Sequence, residues 1–375
     1  MTIFFLLVFL LLSSVSCIQP EAKNSEADII SVSLPDGYMS SDPTILNDSV
    51  VIHLSKDVCL KVLSPKFKLS EGATIFPPSG TTRLFYSPAY YKVTSENGLW
   101  TKTYAVTAVW NDVIDEYTEY CFENVKTDSR NQYHIFYEKD SGGKEKFSWA
   151  SGNSGYALTG VAHSYTDYPL FQSPNGYEKN CACLVTRTTG AFGRMAGMPI
   201  AAGNLFLGYF DLTSAVSAPL KSTHFGITWS AVPVKFSGKF KFTPGSSFYV
   251  QDRSSSTGYR IDPTRHDRCN LYAVFFETTK DMQYLDGENS LSEDNPNIIS
   301  TAVLPEELTT GNDDWMDFEL DFIPREGKTI DKEKMAQGKY SLALVLTSSA
   351  DGGKFEGAPG SCLYVDNIII ESAGI

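Results

Sequence analysis

The chain has 375 residues, with 31 Lys and Arg against 44 Asp and Glu and a net charge of -13. Phosphate backbones are held by clustered basic side chains, whereas the basic residues here are scattered and outnumbered, which argues against nucleic acid as a partner. With 28 Gly, 18 Pro, 23 Phe and 20 Tyr, and almost no helical periodicity, the composition points to β-structure.

The chain opens on an apolar run from Ile3 to Leu12, then Ser13, Ser14, Val15 and Ser16, then Cys17. A membrane span needs roughly 20 apolar residues, so this run is too short to cross a bilayer and reads as the core of a signal peptide over residues 1–16. Ser14-Val15-Ser16-Cys17 resembles the lipobox of bacterial lipoproteins, with Ser14 where Leu is usual and no Lys or Arg before Ile3. The resemblance implies lipid attachment at Cys17; the expected location is the cell envelope, as an outer-membrane lipoprotein at the cell surface, although residues 18–27 carry no recognisable export tag that fixes the face. The competing readings are secretion without lipid and a buried N-terminal strand. Residues 17–27 are then expected to be a flexible, lipidated tether.

From Asp28 to about Trp110, short alternating runs recur at regular spacing: Ile30, Val32 and Leu34, then Val50, Ile52 and Leu54. The clearest pair sets Ala89 to Thr94 against Thr101 to Trp110, where Asn97-Gly98 is expected to supply a tight hairpin turn. Such spacing predicts a small β-sandwich over 28–112. The stretches Leu63-Ser64-Pro65-Lys66-Phe67, Ser70-Glu71-Gly72-Ala73-Thr74 and Tyr91-Lys92-Val93-Thr94 resemble an immunoglobulin-like module found at the start of gut bacterial surface lipoproteins. There it serves as a spacer.

Residues 117–375 read as one further β-rich domain with long loops, the boundary falling between Val109 and Tyr120. Alternation of Phe236, Phe240 and Phe242 marks a strand with one buried face. The single helix-like patch is Asp331 to Gln337, and Asp281 to Pro296 reads as an exposed acidic loop. Three stretches stand out: Phe147-Ser148-Trp149-Ala150-Ser151-Gly152-Asn153-Ser154-Gly155, Ala201-Ala202-Gly203-Asn204-Leu205-Phe206-Leu207-Gly208, and Ser348-Ser349 through Gly352-Gly353-Lys354-Phe355-Glu356-Gly357-Ala358-Pro359-Gly360-Ser361 to Leu363-Tyr364-Val365-Asp366-Asn367-Ile368. Together they resemble the putative carbohydrate metabolism domain family of gut bacterial surface lipoproteins. That resemblance implies a jelly roll like that of carbohydrate-binding modules, with glycan as the partner. The expected fold class is therefore all-β: an immunoglobulin-like sandwich followed by a jelly roll.

In many sandwich carbohydrate-binding modules a Phe-Glu near the first strand and an Asp-Asn in the last share one structural calcium, which favours six to eight oxygen ligands. Glu123 and Asp366 are the matching metal candidates here. The alternative is that both are ordinary strand-end carboxylates.

Sugars are held by flat aromatic faces and by amides or carboxylates that bond their hydroxyls. Trp149 and Trp229, with Asn153 orienting hydroxyls and the Ser349 to Gly353 loop at the rim, form the proposed platform, although sandwich tryptophans are more often core. Trp315, beside Asp313 and Asp314, offers a third face, and His224 lies near Trp229 in sequence. If the rings are core, the platform falls to Tyr165, Tyr168 or Tyr177.

Hydrolysis of a glycosidic bond uses two carboxylates. Glu277, Glu319 and Asp321 lie in strand-like runs but read as outward strand residues. Nucleophile-elbow, zincin and phosphate-loop motifs are all missing. The cysteines beyond Cys17, including Cys181 and Cys183, lack zinc-site spacing and read as buried thiols. The expected protein is a monomeric surface lipoprotein that binds carbohydrate, the alternatives being a glycoside hydrolase on the same jelly roll and an adhesive surface protein.

Overall fold

The computed structural model describes residues 22–55, 58, 62–85, 88–110, 116–140, 142–312 and 314–373. The signal segment 1–16, Cys17, Cys59 and Asp313 lie outside the described residues. The chain divides into two units: residues up to 55 with 62–109, and Trp110 onward together with residues 56–61.

In the first unit a five-stranded sheet runs in the order Thr44–Ile45, Ser49–Leu54, Thr101–Trp110, Ala89–Thr94 and Thr74–Phe76. A separate pair, Ile29–Ser33 with Lys66–Leu69, completes the immunoglobulin-like sandwich. Alternation works as expected, because Val50, Ile52, Leu54, Tyr91, Val93, Tyr104 and Val106 all point into the core. Ala89–Thr94 and Thr101–Trp110 do pair, but through a six-residue loop rather than a tight turn. Gly98 takes the positive φ of 71°; the Asn97 side chain instead accepts from Ser95 Oγ at 2.8 Å and Leu99 N at 3.0 Å. The tether is also shorter than expected. Asn24 N donates to Glu96 at 2.8 Å and Asn97 N to Asn24 O at 3.1 Å, and Ala27 is buried, so residues 24–27 belong to the module.

The second unit is a jelly-roll sandwich of two six-stranded sheets. The front sheet runs Leu170–Ser173, Cys181–Val185, Cys362–Ala373, Val232–Thr243, Met316–Asp321. Glu116–Tyr120 occupies the far half of the edge of Cys362–Ala373 that Cys181–Val185 leaves open. The back sheet runs Asn204–Phe206, Tyr340–Thr347, Asn270–Glu277, Ile298–Val303, Ile323–Pro324, and Ile227–Thr228 shares an edge of Tyr340–Thr347. Between the sheets, Leu184, Phe236, Phe240, Phe242, Leu363 and Val365 meet Leu271, Ala273, Phe275, Leu342, Leu344 and Leu346. Each such Leu, Val or Phe side chain contributes roughly 1.5–3 kcal/mol by leaving water.

The central strands of the back sheet are buried on both faces. Their outer side carries a second apolar cluster of Phe206, Phe225, Tyr272, Val274, Phe276 and Val345, covered by long loops. Two of those loops contain short helices, Asn153–Ala157 and Gly190–Met195, which five or six Gly-containing residues are too few to announce by periodicity. The expected helix is present as Lys332–Ala336, capped by the Asp331 carboxylate accepting from Glu333 N and Lys334 N. Nor is Asp281 to Pro296 a free acidic loop. Leu285 pairs with Phe225 and is fully buried.

Candidate functional site

On the outer face of the back sheet the covering loops leave a cavity of about 440 Å³, within the roughly 300–1,000 Å³ typical of small-ligand sites. Its floor follows from strand register. Asn204, Thr347 and Asn270 lie directly abreast on three neighbouring strands, and all three line the cavity. Two residues along, on the same face, the next rung is Phe206, Val345 and Tyr272. The floor is thus one polar rung beside one apolar rung. Asn204 gives its Oδ1 to the Gly152 N–H at 2.7 Å. The Asn270 side chain forms no hydrogen bond among the described residues, so a whole amide faces the cavity.

The walls come from segments far apart in the chain. Gly152 and Gly155, Ala201 and Ala202, and Ser349, Gly352, Gly353 and Phe355 all line this one space. These are the three motif stretches singled out above. Small residues are required for the approach, since a Cβ on Gly352 would lie 2.4 Å from Ala202 Cβ and one on Gly353 2.7 Å from Leu220.

A buried polar network holds the walls in register. Ser348 Oγ accepts from Gly203 N at 2.9 Å, and Thr186 Oγ1 contacts Ser348 Oγ at 2.8 Å and Ser349 Oγ at 2.6 Å. Ser349 Oγ, Ala358 N and Ser361 Oγ each donate to Asp267 Oδ2 at 2.6 Å, and Arg268 N donates to Oδ1. Burial pushes the Asp267 carboxyl up, against the four donors that favour its charge.

The proposed aromatic platform is corrected by the structure. Trp149 is 4% and Trp229 9% exposed, and both sit in the main core. Trp149 packs edge-on to Tyr120 and Phe122 and donates Nε1–H to Glu138 at 2.9 Å; Trp229 Nε1–H donates to Ser372 Oγ. No ring face is left for a pyranose. Asn153 is buried and bonds both the N–H and C=O of Leu170, a structural clamp. Burial raises the Glu138 carboxyl above the usual carboxylate range despite its tryptophan donor. His224 stacks on Tyr284, with centroids 3.7 Å apart. Trp315 lies edge-on between Tyr177 and Tyr364. Tyr165 and Tyr177 are exposed, whereas Tyr168 is buried. Glu277 and Glu319 pair with Lys334 and Lys235 at the surface.

Glu123 and Asp366 reach the same loop, but their oxygens are filled by N–H donors. Asp366 Oδ2 accepts from Tyr177 N at 2.8 Å and Oδ1 from Asn367 N at 2.9 Å. The Glu123 carboxylate accepts from Asn180 N at 3.2 Å and Nδ2 at 2.8 Å. The Phe122 and Glu123 carbonyls both accept from Gln172 Nε2. Hydrogen-bond donors aimed at the oxygens do not fit a calcium shell, and no group of three metal-type ligands forms among the described residues. The position of Asp366 explains its role. It sits where Cys181–Val185 ends and Glu116–Tyr120 has not begun, so its side chain takes an N–H that no strand takes there.

Sequence reading missed Asn270, Thr347 and Tyr272. Asn270 carried the one available signal, a lone amide opening the otherwise apolar run Leu271 to Phe276.

Comparison with known proteins agrees with this architecture. Residues 24–108 match the domain described as SGBP, N-terminal, and residues 121–371 the putative carbohydrate metabolism domain. No curated protein matches the chain. A putative glycoside hydrolase from Bacteroides thetaiotaomicron VPI-5482 is 41% identical with a TM-score of 0.63, the match covering 95% of this chain and 100% of that one. A putative glycoside hydrolase from Bacteroides vulgatus ATCC 8482 is also 41% identical, with a TM-score of 0.61, over 68% of this chain and 97% of that one. The chain belongs to the putative carbohydrate metabolism domain family.

Proposed function

We propose that this protein is a surface lipoprotein, anchored through Cys17, that captures a glycan in the back-sheet cavity as an accessory to glycan utilisation. The carrying observation is the unengaged Asn270 amide beside Tyr272, in a cavity around which three separated motif stretches close. An amide supplies two donors and an acceptor for vicinal hydroxyls, and a ring beside it offers the apolar contact that sugar C–H faces seek. The lipobox-like Ser14-Val15-Ser16-Cys17 and the SGBP N-terminal match favour the surface location.

The relatives' names favour a second reading, hydrolysis. Among the described residues lining the cavity, however, Glu288 is the one carboxylate, whereas glycosidases use a pair roughly 5–10 Å apart. Binding without turnover is therefore the reading adopted. A glycan array followed by calorimetry tests it: Asn270→Ala is expected to lower affinity at least tenfold without changing Tm. Release of reducing ends from a bound glycan would replace capture with hydrolysis.

A further inference from the structure

The cavity mouth has a composition that narrows the ligand further, and this step rests on the glycan reading above. Leu158, Phe192, Val216 and Leu291 line the opening and are each 38–50% exposed. Four large apolar side chains held in water around one opening are uncommon on a soluble surface, and such patches mark contact sites. The lining also lacks Lys, Arg, His and Asp among the described residues, and its single Glu288 faces Lys221 at 3.7 Å.

Two exclusions follow. A uronate or sulfated sugar needs a cation or a dense set of donors to replace its hydration, and the lining provides no cation. An unsubstituted sugar chain carries hydroxyls along its whole length, and hydroxyls pressed against the mouth would lose water without gaining partners, at a cost of roughly 1–3 kcal/mol each. On the polar rung the Thr347 hydroxyl is taken by the Ser349 carbonyl and Asn204 Oδ1 by Gly152 N–H, so the Asn270 amide and the Asn204 Nδ2 group can serve one sugar ring. Against those four side chains hydrocarbon gains what hydroxyls would lose.

We infer that the ligand is a neutral glycoside bearing an apolar substituent, the sugar on the polar rung and the substituent against Leu158, Phe192, Val216 and Leu291. The test measures binding of the full-length protein to methyl and hexyl glycosides of glucose, galactose, mannose and xylose, with hexan-1-ol alone. The expected result is that, for at least one sugar, affinity rises up to about fourfold per added methylene. Phe192→Ser with Val216→Ser should erase that rise, so that hexyl and methyl forms bind alike, while Asn270→Ala weakens both forms and keeps the rise. Equal binding of methyl and hexyl forms would overturn the inference and leave the glycan reading standing. Hexan-1-ol binding as well as the hexyl glycosides, or no glycoside binding at all, would overturn both.

Discussion

Asp267 Oδ2 and Ser349 Oγ lie 2.6 Å apart in a fully buried contact, which ties the start of the back-sheet strand Asn270–Glu277 to the loop that closes the cavity. Asp267→Ala would remove the acceptor of the Ser361 hydroxyl and the Ala358 N–H and leave the Ser349 hydroxyl with Thr186 alone. Leaving buried donors unpaired costs about 1–3 kcal/mol each. The expected loss is about 3 kcal/mol, or roughly 6–12 °C in Tm for a domain of this size, and calorimetry should show glycan affinity falling with it. Unchanged stability would mean that the network does not hold the wall.

Trp149→Ala and Trp229→Ala are expected to destabilise the second domain by about 3–5 kcal/mol each through cavity formation. Chemical denaturation checks this. Retained stability with lost glycan binding would instead restore both rings to the site.

Melting of the wild type is expected to be the same in calcium and in chelator, because the Glu123 and Asp366 oxygens already hold N–H donors. Asp366→Ala should lower Tm equally in both buffers, since it releases the Tyr177 N–H in either. A calcium-dependent rise in wild-type Tm would return the ion to this junction.

Glu138 makes a pH-dependent contribution. Burial raises its folded pKa above the ordinary 4.5, so the native state holds a proton that the unfolded chain has released, and stability falls as pH rises through that window. Glu138→Gln removes this dependence and keeps an acceptor for Trp149. Scanning calorimetry should find the variant gaining on wild type as pH rises above 4.5, with no further change in the difference below it.

Cys183 and Cys362 sit with their sulfur atoms 3.6 Å apart on neighbouring strands. The neighbouring Cys362 sulfur and burial push the Cys183 thiol up, while the hydrogen bond from Cys183 lowers that of Cys362, which makes Cys362 the attacking thiolate of the pair. With diamide, these two are expected to be the first of the described cysteines to join. Peptide mapping should find that disulfide in the wild type and none in Cys362→Ser.

Much of the fold was legible because strand periodicity survives wherever one face is buried: Val50, Ile52 and Leu54, or Phe236, Phe240 and Phe242, declare their own inward side. The site was harder to read for the same reason. The outer face of the back sheet is covered, so Asn270 to Glu277 shows a continuous apolar run rather than an alternation, and its outward residues look like core. Trp149 and Trp229 misled because an aromatic with a nearby amide is also what a packed core with a satisfied indole N–H looks like. The motif stretches pointed to the right loops. What they could not convey was that Asn153 faces Leu170 and that Asn204 faces the cavity.

The strand Cys362–Ala373 comes last in the domain and yet lies at the middle of its front sheet, hydrogen-bonded to Val232–Thr243 on one side and to Cys181–Val185 and Glu116–Tyr120 on the other. A chain leaving the ribosome at about 5–20 residues per second cannot assemble that sheet until Cys362–Ala373 has been made. Until then Phe236, Phe240 and Phe242 have a back sheet to face but their strand has no neighbour on that edge, and Glu116–Tyr120 has none at all. Chains that stop short of Cys362 therefore lack the strand that joins Val232–Thr243 to Cys181–Val185 and Glu116–Tyr120, and their front layer stays open to proteases and chaperones.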